Sequence, residues 1–103
     1  MKLAYIIADR KQAGALAELL VKERLAACCN VFDCNSVYWW EGKVEHAKEC
    51  AIIAKTADRM EGKLIKRVLE FHNYSVPAVL IFDVEKGHAP YFEYVNKEMG
   101  EKK

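Results

Sequence analysis

The chain has 103 residues, of which 52% are hydrophobic and 30% are charged, and this balance is typical of one globular domain with its own core. The formal net charge is only +1, which argues against a nucleic-acid-binding protein because such proteins need a basic face to neutralise phosphates. No apolar run is long enough to span a membrane and no signal peptide opens the chain, so we expect a single cytoplasmic domain over residues 1–103 without membrane contact.

The first predicted elements are a strand and a helix. Residues 2–8 ("KLAYIIA") form a short apolar run with β-branched and aromatic side chains, which predicts a strand. Asp9 and Gln12 then resemble a capping box, in which the carboxylate accepts a free backbone N–H and the glutamine side chain reaches back. We expect the helix to continue to about Ala27. Its buried stripe, at helical spacing, consists of Ala13, Leu16, Ala17 and Leu20.

A long hairpin follows, with its turn at Glu41-Gly42, where the glycine tolerates the positive φ that a tight turn needs. Its arms, residues 30–40 and 43–56, are longer than a usual strand. A two-residue turn places mostly apolar side chains opposite each other: Trp39 with Val44, Val37 with His46, and Val31 with Ile52. The middle pairs break this pattern: Asn35 with Lys48, and Asp33 with Cys50. We therefore expect a bulge or bend midway, since one extra residue resets the faces of a strand.

A second helix is predicted after this hairpin. Thr56 or Asp58 is placed to cap it, and Asp58 with Glu61 again resembles a capping box. Asn73 suits the left-handed position that often follows a helix. The apolar stripe of this helix consists of Met60, Leu64, Val68 and Phe71.

The last part of the chain predicts a strand and a final helix. Val76 precedes Pro77 and should therefore be extended. The run "PAVLIFDV" is nearly all apolar, as expected of a strand that is buried on both faces. Lys86-Gly87 turns the chain, and Pro90 suits the first turn of a C-terminal helix.

This order, βαββαβ plus a C-terminal helix, predicts an α+β protein of the ferredoxin-like (split βαβ) class, with two helices on one face of a four-stranded antiparallel sheet. The other face stays open, and the hairpin tip carries Trp39 and Trp40. Such an apolar surface needs a cover, and another copy of the chain is the simplest one.

Four cysteines are present: Cys28, Cys29, Cys34 and Cys50. They form no C-x-x-C motif and match no structural zinc spacing. In a reducing cytosol we expect free thiols that pack as small hydrophobic groups. The alternative is ligation of a soft metal, which thiolates favour.

The segments "LAACCNV", "YWWEGKVE", "IIAKT" and "HNYSVPAVLIFDVEKGHAPYFEYV" resemble the CutA divalent-cation-tolerance family in order and spacing. The similarity extends from Ala4 to Val95. It implies a homotrimer of ferredoxin-like subunits, related to the PII signalling proteins, whose long hairpins cross subunit boundaries. It also implies a role in tolerance of copper and other divalent metals. No reaction is established for the family, so we expect neither an enzyme nor an obligatory cofactor.

The resemblance also suggests metal ligands. His72 matches the family histidine and is the first candidate ligand for copper or a similar divalent ion; the alternative is a helix cap stabilised by the helix dipole. Cys28 is the second candidate, with plain packing as its alternative. Two carboxylates of the family motif are replaced here by Ser75 and Ala78, so the site should be weak. The copper-ligand cysteine proposed for some bacterial members aligns with Tyr5.

A second set of family positions, Trp40, Glu49, Lys55 and Tyr74, could line a cleft between subunits. A lysine there would suit a small anionic ligand, and the alternative is an ion-pair network at the interface. His46 and His88 match no family position and should face solvent. Two functions remain open: a metal-responsive trimer, or a PII-like ligand-sensing or scaffold trimer without a direct metal role.

Overall fold

The structure is a computed structural model that describes residues 1–100. Four strands and three helices follow one another as β1 (Lys2–Asp9), α1 (Ala13–Lys22), β2 (Cys28–Trp40), β3 (Lys43–Thr56), α2 (Glu61–Phe71), β4 (Val79–Asp83) and α3 (Ala89–Glu98), with a short 3₁₀ turn (Asp58–Met60) before α2. The strands form one antiparallel sheet in the order β2-β3-β1-β4. This arrangement confirms the predicted ferredoxin-like class. No helix within residues 1–100 is long and apolar enough to cross a membrane.

One face of the sheet carries the core. Along β1, Ala4 and Ile6 are fully buried and pair with Ala54 and Ile52 of β3. The predicted stripe of α1 is buried against this layer, and so are Met60, Leu64 and Val68 of the second stripe, while Phe71 is partly buried. Removal of these side chains from water, at about 1.5–3 kcal/mol for each large one, is what fixes the helices on this face.

The end of α1 differs from the prediction. The helix stops at Lys22 rather than near Ala27, because Arg24 adopts the left-handed conformation with φ of +60°. A non-glycine residue is sterically strained in that conformation, so other contacts must offset the cost. Arg24 makes such contacts with α3, where its guanidinium donates to the Glu98 carbonyl at 2.7 Å and to the Glu98 carboxylate at 3.0 Å. Because no glycine marks this position, the sequence carries no local signal for the end of α1.

The caps are only partly as predicted. Asp9 accepts the Gln12 backbone N–H at 2.8 Å, the expected half of the first capping box. Asp58 makes no cap bond; its carboxylate instead pairs with the Met1 amino group at 2.8 Å, which lowers the pKa of Asp58. Thr56 likewise does not cap α2 and is fully buried. The predicted left-handed Asn73 is also wrong, since positive φ among the described non-glycine residues occurs elsewhere.

The hairpin register is unbroken from the turn to its base. Glu41 and Gly42 have φ of +49° and +82°, the signs that a type I′ turn requires. The apolar pairs predicted from this turn are all present. The expected bulge is wrong, because the pairing continues without an extra residue through Asp33 and Cys50. The Cys50 thiol donates to the Asp33 carboxylate at 3.4 Å, and this bond accommodates the mismatched pair.

Strand β4 is not buried on both faces in this chain. It lies at the edge of the sheet and pairs only with β1. Val79 and Ile81 pack against the core, whereas Leu80 and Phe82 are 54% and 51% exposed on the opposite face. That opposite face, the open face of the sheet, also carries the exposed side chains of Phe32, Tyr38 and Trp40.

Candidate functional site

A cleft of about 440 Å³ lies where the hairpin meets the loop after α2. On the hairpin side, alternate residues of β2 share one face of the strand and supply Ser36, Tyr38 and Trp40. Glu49 of β3 lies on the same face of the sheet. Its cross-strand partner Cys34 is two residues before Ser36 and therefore shares the face of Ser36, Tyr38 and Trp40. The loop side and the strand β1 complete the lining with Ile7, Tyr74, Ser75, Val76 and Ala78.

Glu49 and Tyr74 form the polar centre of this cleft. Glu49 is only 6% exposed, which is unusual for a carboxylate. The Tyr74 hydroxyl donates a hydrogen bond to Oε2 of Glu49 at 2.5 Å, a distance typical of a bond to a charged acceptor. Burial, and then this hydrogen bond, raise the pKa of Tyr74 well above its ordinary value, so the hydroxyl keeps its proton. The pair therefore holds a carboxylate in place beside apolar walls.

His72 lies behind Tyr74, directly after α2. Its Nδ1 accepts the Tyr74 backbone N–H at 3.2 Å, which leaves the ring hydrogen on Nε2, where it donates to the Ile7 carbonyl at 2.6 Å. The two rings also meet edge to face, with centroids 4.6 Å apart. His72 thus connects the end of α2 to β1 and orients the tyrosine. Both ring nitrogens have protein partners, so a metal ion at His72 would have to displace one of these bonds.

Lys55 and Cys28 lie at the other end of the sheet. Lys55 donates to the Asn30 side-chain oxygen and approaches the Cys28 sulfur at 3.7 Å. Lys55 is paired with Leu3, four residues along β1 from Ile7, and four residues of a strand span about 13 Å. The structure therefore brings together Trp40, Glu49 and Tyr74 of the predicted cleft but not Lys55. It also separates Cys28 from His72, so these two residues of one chain cannot hold the same ion.

The remaining potential metal donors are dispersed. Within residues 1–100 no group of three or more His, Cys, Asp and Glu side chains is arranged to hold a metal ion. All four cysteines are free. Burial raises the pKa of Cys29 to about 11 and also raises that of Cys50, which disfavours the thiolate that would bind a soft metal. A metal site in one chain would therefore have few ligands.

Comparison with known proteins identifies the family of this chain. The family model of the CutA1 divalent ion tolerance protein matches residues 3–98. The chain belongs to this family. It is 38% identical over 90 residues to the divalent-cation tolerance protein CutA of Pyrococcus horikoshii, covering 87% of this chain and 88% of that protein. The protein of the same name from Archaeoglobus fulgidus is 32% identical over 87 residues, 84% of this chain and 85% of that one.

Solved structures of CutA proteins have the same fold. The crystal structure of CutA1 from Pyrococcus horikoshii superposes with a TM-score of 0.90 at 35% identity, covering 95% of this chain and 97% of that one. The PII-like protein CutA from Nostoc sp. gives a TM-score of 0.93 at 28% identity, covering 96% and 97%. The chain therefore has the PII-like CutA fold.

Sequence reasoning missed part of the cleft of this CutA family member. Ser36 and Tyr38 are not among the predicted site residues, although both precede Trp40 at strand spacing and share its face. Val76, for which the sequence predicts only an extended backbone, forms part of the loop wall of the cleft. An unbroken period of two along β2 was the signal that could have found the first two residues.

Proposed function

We propose that this chain acts in divalent-cation tolerance as a cytoplasmic, PII-like homotrimer that binds ligands rather than catalysing a reaction. The family membership supports the role in divalent-cation tolerance. The open face of the sheet is the single observation that carries the assembly, and the Glu49 cleft is the site we assign to ligand binding.

The open face supports assembly through its chemistry. Five large apolar or aromatic side chains are exposed there: Phe32, Tyr38, Trp40, Leu80 and Phe82. The far half of the hairpin adds Trp39, which is 74% exposed on the other side. Large exposed apolar surfaces are rare on monomeric proteins and often mark an interaction site. A second and a third copy of the chain would cover the open face. Their hairpins would then close the Glu49 cleft on the side that is open to solvent in a single chain.

Copper is the metal that we propose, because imidazole suits Cu(II), affinity among first-row divalent ions peaks there, and a thiolate would favour its Cu(I) form. His72 and Cys28 remain the proposed ligands, each at its own weak site, since the sheet separates them. Ligands from a neighbouring subunit would be needed to raise the affinity. The alternative is a PII-like trimer whose cleft senses a small molecule and has no direct contact with metal.

Sedimentation of the purified protein tests the assembly. We expect a particle of three chains for the wild type and a smaller one for Leu80→Glu, which places a charge on the open face without touching the core. Val21→Glu is the matched control, because Val21 is an exposed valine on α1, away from that face. A folded wild-type monomer at low micromolar concentration, or equal behaviour of both variants, would contradict the proposal.

Growth on copper tests the function. A strain that lacks its own CutA protein should become copper-sensitive, and this chain should restore growth. Calorimetric titration with Cu(II) and with adenine nucleotides then separates the two candidates. Weak copper binding with no nucleotide binding favours the metal role. Restored growth without any copper binding favours the ligand-sensing role, and a failure to restore growth contradicts both.

A further inference from the structure

The open face of the sheet carries charges that must be matched when another copy of the chain covers it. Side chains on one face of a strand recur at every second residue, so the charges that β3 places on the open face are Lys43, Glu45, Glu49 and Lys55. Lys43 and Glu45 lie beside the hairpin turn, where both are exposed. Glu49 and Lys55 lie deeper in the sheet, and a second copy that covers the face removes both from water.

Glu49 is only half satisfied by its own chain. The Tyr74 hydroxyl occupies Oε2, whereas Oε1 accepts no hydrogen bond from residues 1–100 and meets solvent in a single chain. The cross-strand neighbour of Glu49 in β1 is Asp9, which is a second carboxylate and supplies no counter-charge. A copy that covers the open face takes the solvent away from Oε1. Because a buried charge is costly unless it is paired, the assembly itself must supply a donor.

The cations of the same chain do not supply this donor. Lys43 and Lys55 each lie six residues from Glu49 along β3, which is a distance of about 20 Å. Arg10 donates to the backbone carbonyl of Glu49 at 3.3 Å, but its guanidinium pairs at 3.7 Å with the carboxylate of Asp33, on the other face of the sheet. The matching cation must therefore come from another copy.

Lys55 is the cation of the open face that itself lacks a carboxylate partner. Its ammonium donates to the side-chain oxygen of Asn30 and approaches the Cys28 sulfur at 3.7 Å. The flexible four-carbon side chain of a lysine allows the ammonium to turn from Asn30 towards a neighbouring copy. Lys43 fits less well, because it is exposed beside the turn and has Glu45 two residues away on the same face.

A cyclic trimer allows Glu49 and Lys55 to meet. Its contacts run head to tail, so that a patch of one copy meets a different patch of the next. Glu49 of each copy can therefore contact Lys55 of the next copy without bringing two like charges together. A three-fold rotation also keeps each residue at its own height along the axis. The strand β3, which joins the two residues, must then run across the axis and not along it.

We propose that Glu49 of each copy forms an ion pair with Lys55 of a neighbouring copy, and that this pair completes the cleft in the assembled protein. The inference rests on the proposed trimer and specifies the charged group that a neighbour adds to the cleft. In the assembly a ligand of the cleft meets an ammonium group beside the carboxylate.

Charge reversal tests the pair, with sedimentation at a series of protein concentrations as the assay. Glu49→Lys and Lys55→Glu each bring like charges together, so each should raise the concentration at which the trimer dissociates by about tenfold or more. The double variant restores the pair with reversed polarity and should return this concentration most of the way to that of the wild type. Within one chain the two positions are about 20 Å apart, so effects exerted there would simply add. Additive effects would overturn the proposal.

The double variant Glu49→Lys with Lys43→Glu is the matched control. Recovery of the trimer in this variant, and not in the one with Lys55→Glu, would assign the partner to Lys43 and overturn the proposed pair.

Carbodiimide coupling of the assembled wild type decides the question if the charge-reversed chains do not fold. The reagent joins a carboxylate to an amine in direct contact, and mass spectrometry of the linked chains should find Glu49 bonded to Lys55 of another chain. Glu45→Gln should retain this link, because Glu45 takes no part in the pair. An assembled wild type that gives no such link would refute the pair.

The result can be separated from that of the proposed function. A wild-type monomer overturns the trimer and the pair together. A wild-type trimer in which the two charge reversals are additive overturns only the pair. Growth on copper reports the tolerance role and is independent of both.

Discussion

The hydrogen bond between Tyr74 and Glu49 allows a quantitative prediction. Tyr74→Phe removes the hydroxyl that donates to Oε2 at 2.5 Å and leaves the ring in place, so packing against His72 is kept. The carboxylate of Glu49 then loses its only hydrogen bond to a described side chain while it stays 6% exposed. A hydrogen bond to a charged group contributes about 1.5–3 kcal/mol. Because Tyr74 itself is only partly buried, we expect a value near the lower end of this range. Tyr74→Phe should therefore lower the free energy of unfolding by about 1.5–2 kcal/mol.

The assay is urea denaturation at one fixed protein concentration, because the stability of an oligomer depends on concentration. Tyr94→Phe is the matched control: Tyr94 is exposed on α3, its ring contacts Tyr91, and its loss of a hydroxyl should change stability by less than about 0.5 kcal/mol. If the two variants lose the same amount, the cleft hydrogen bond does not stabilise the fold and the reasoning is refuted.

The same pair predicts a dependence on alkaline pH. The pKa of Tyr74 is raised in the folded protein, by burial and by its bond to Glu49. The stability that the protonated Tyr74 contributes is therefore fully present below the pKa of an unfolded tyrosine, about 10. It is lost as the pH rises above that value, because there the unfolded chain releases the proton more readily than the folded one. The difference in stability between wild type and Tyr74→Phe should shrink above about pH 10. If the difference in the free energy of unfolding between wild type and Tyr74→Phe stays constant from about pH 7 to about pH 11, the raised pKa of Tyr74 is contradicted.

Three further predictions concern other parts of the fold. Thr56→Val should lower the free energy of unfolding by about 1–2 kcal/mol, since the buried Thr56 hydroxyl donates to the Leu25 carbonyl at 2.7 Å; an unchanged urea midpoint would exclude this role. His72→Ala should weaken Cu(II) binding in calorimetry without dissociating the assembly, whereas His88→Ala should not; equal affinities in wild type and His72→Ala would make His72 purely structural. Thiol titration under denaturing, non-reducing conditions should find four free thiols in each chain, and a lower number would indicate a disulfide.

The sequence predicted the fold well because local signals and the global fold agree. Strand β1, both helical stripes and the turn at Glu41-Gly42 each follow from periodicity or from a residue with a special backbone conformation. The errors lie where a tertiary contact replaced a local rule. Arg24 ends α1 with help from Glu98 of α3, and Asp58 pairs with the amino terminus instead of capping α2. Neither partner is near in sequence, so no local pattern could reveal them.

The candidate site was only half predictable, and the reason lies in β3. Glu49 and Lys55 are six residues apart on one strand, so they share a face and lie about 20 Å apart along it. A small cleft cannot contain both residues of the same chain, and this follows from the strand period alone if β3 is continuous. The expected bulge obscured the point, because a bulge would have reset the faces between them. Once the unbroken register is known, the cleft within one chain contains Glu49 and excludes the Lys55 of the same chain, so only the Lys55 of another copy could join it.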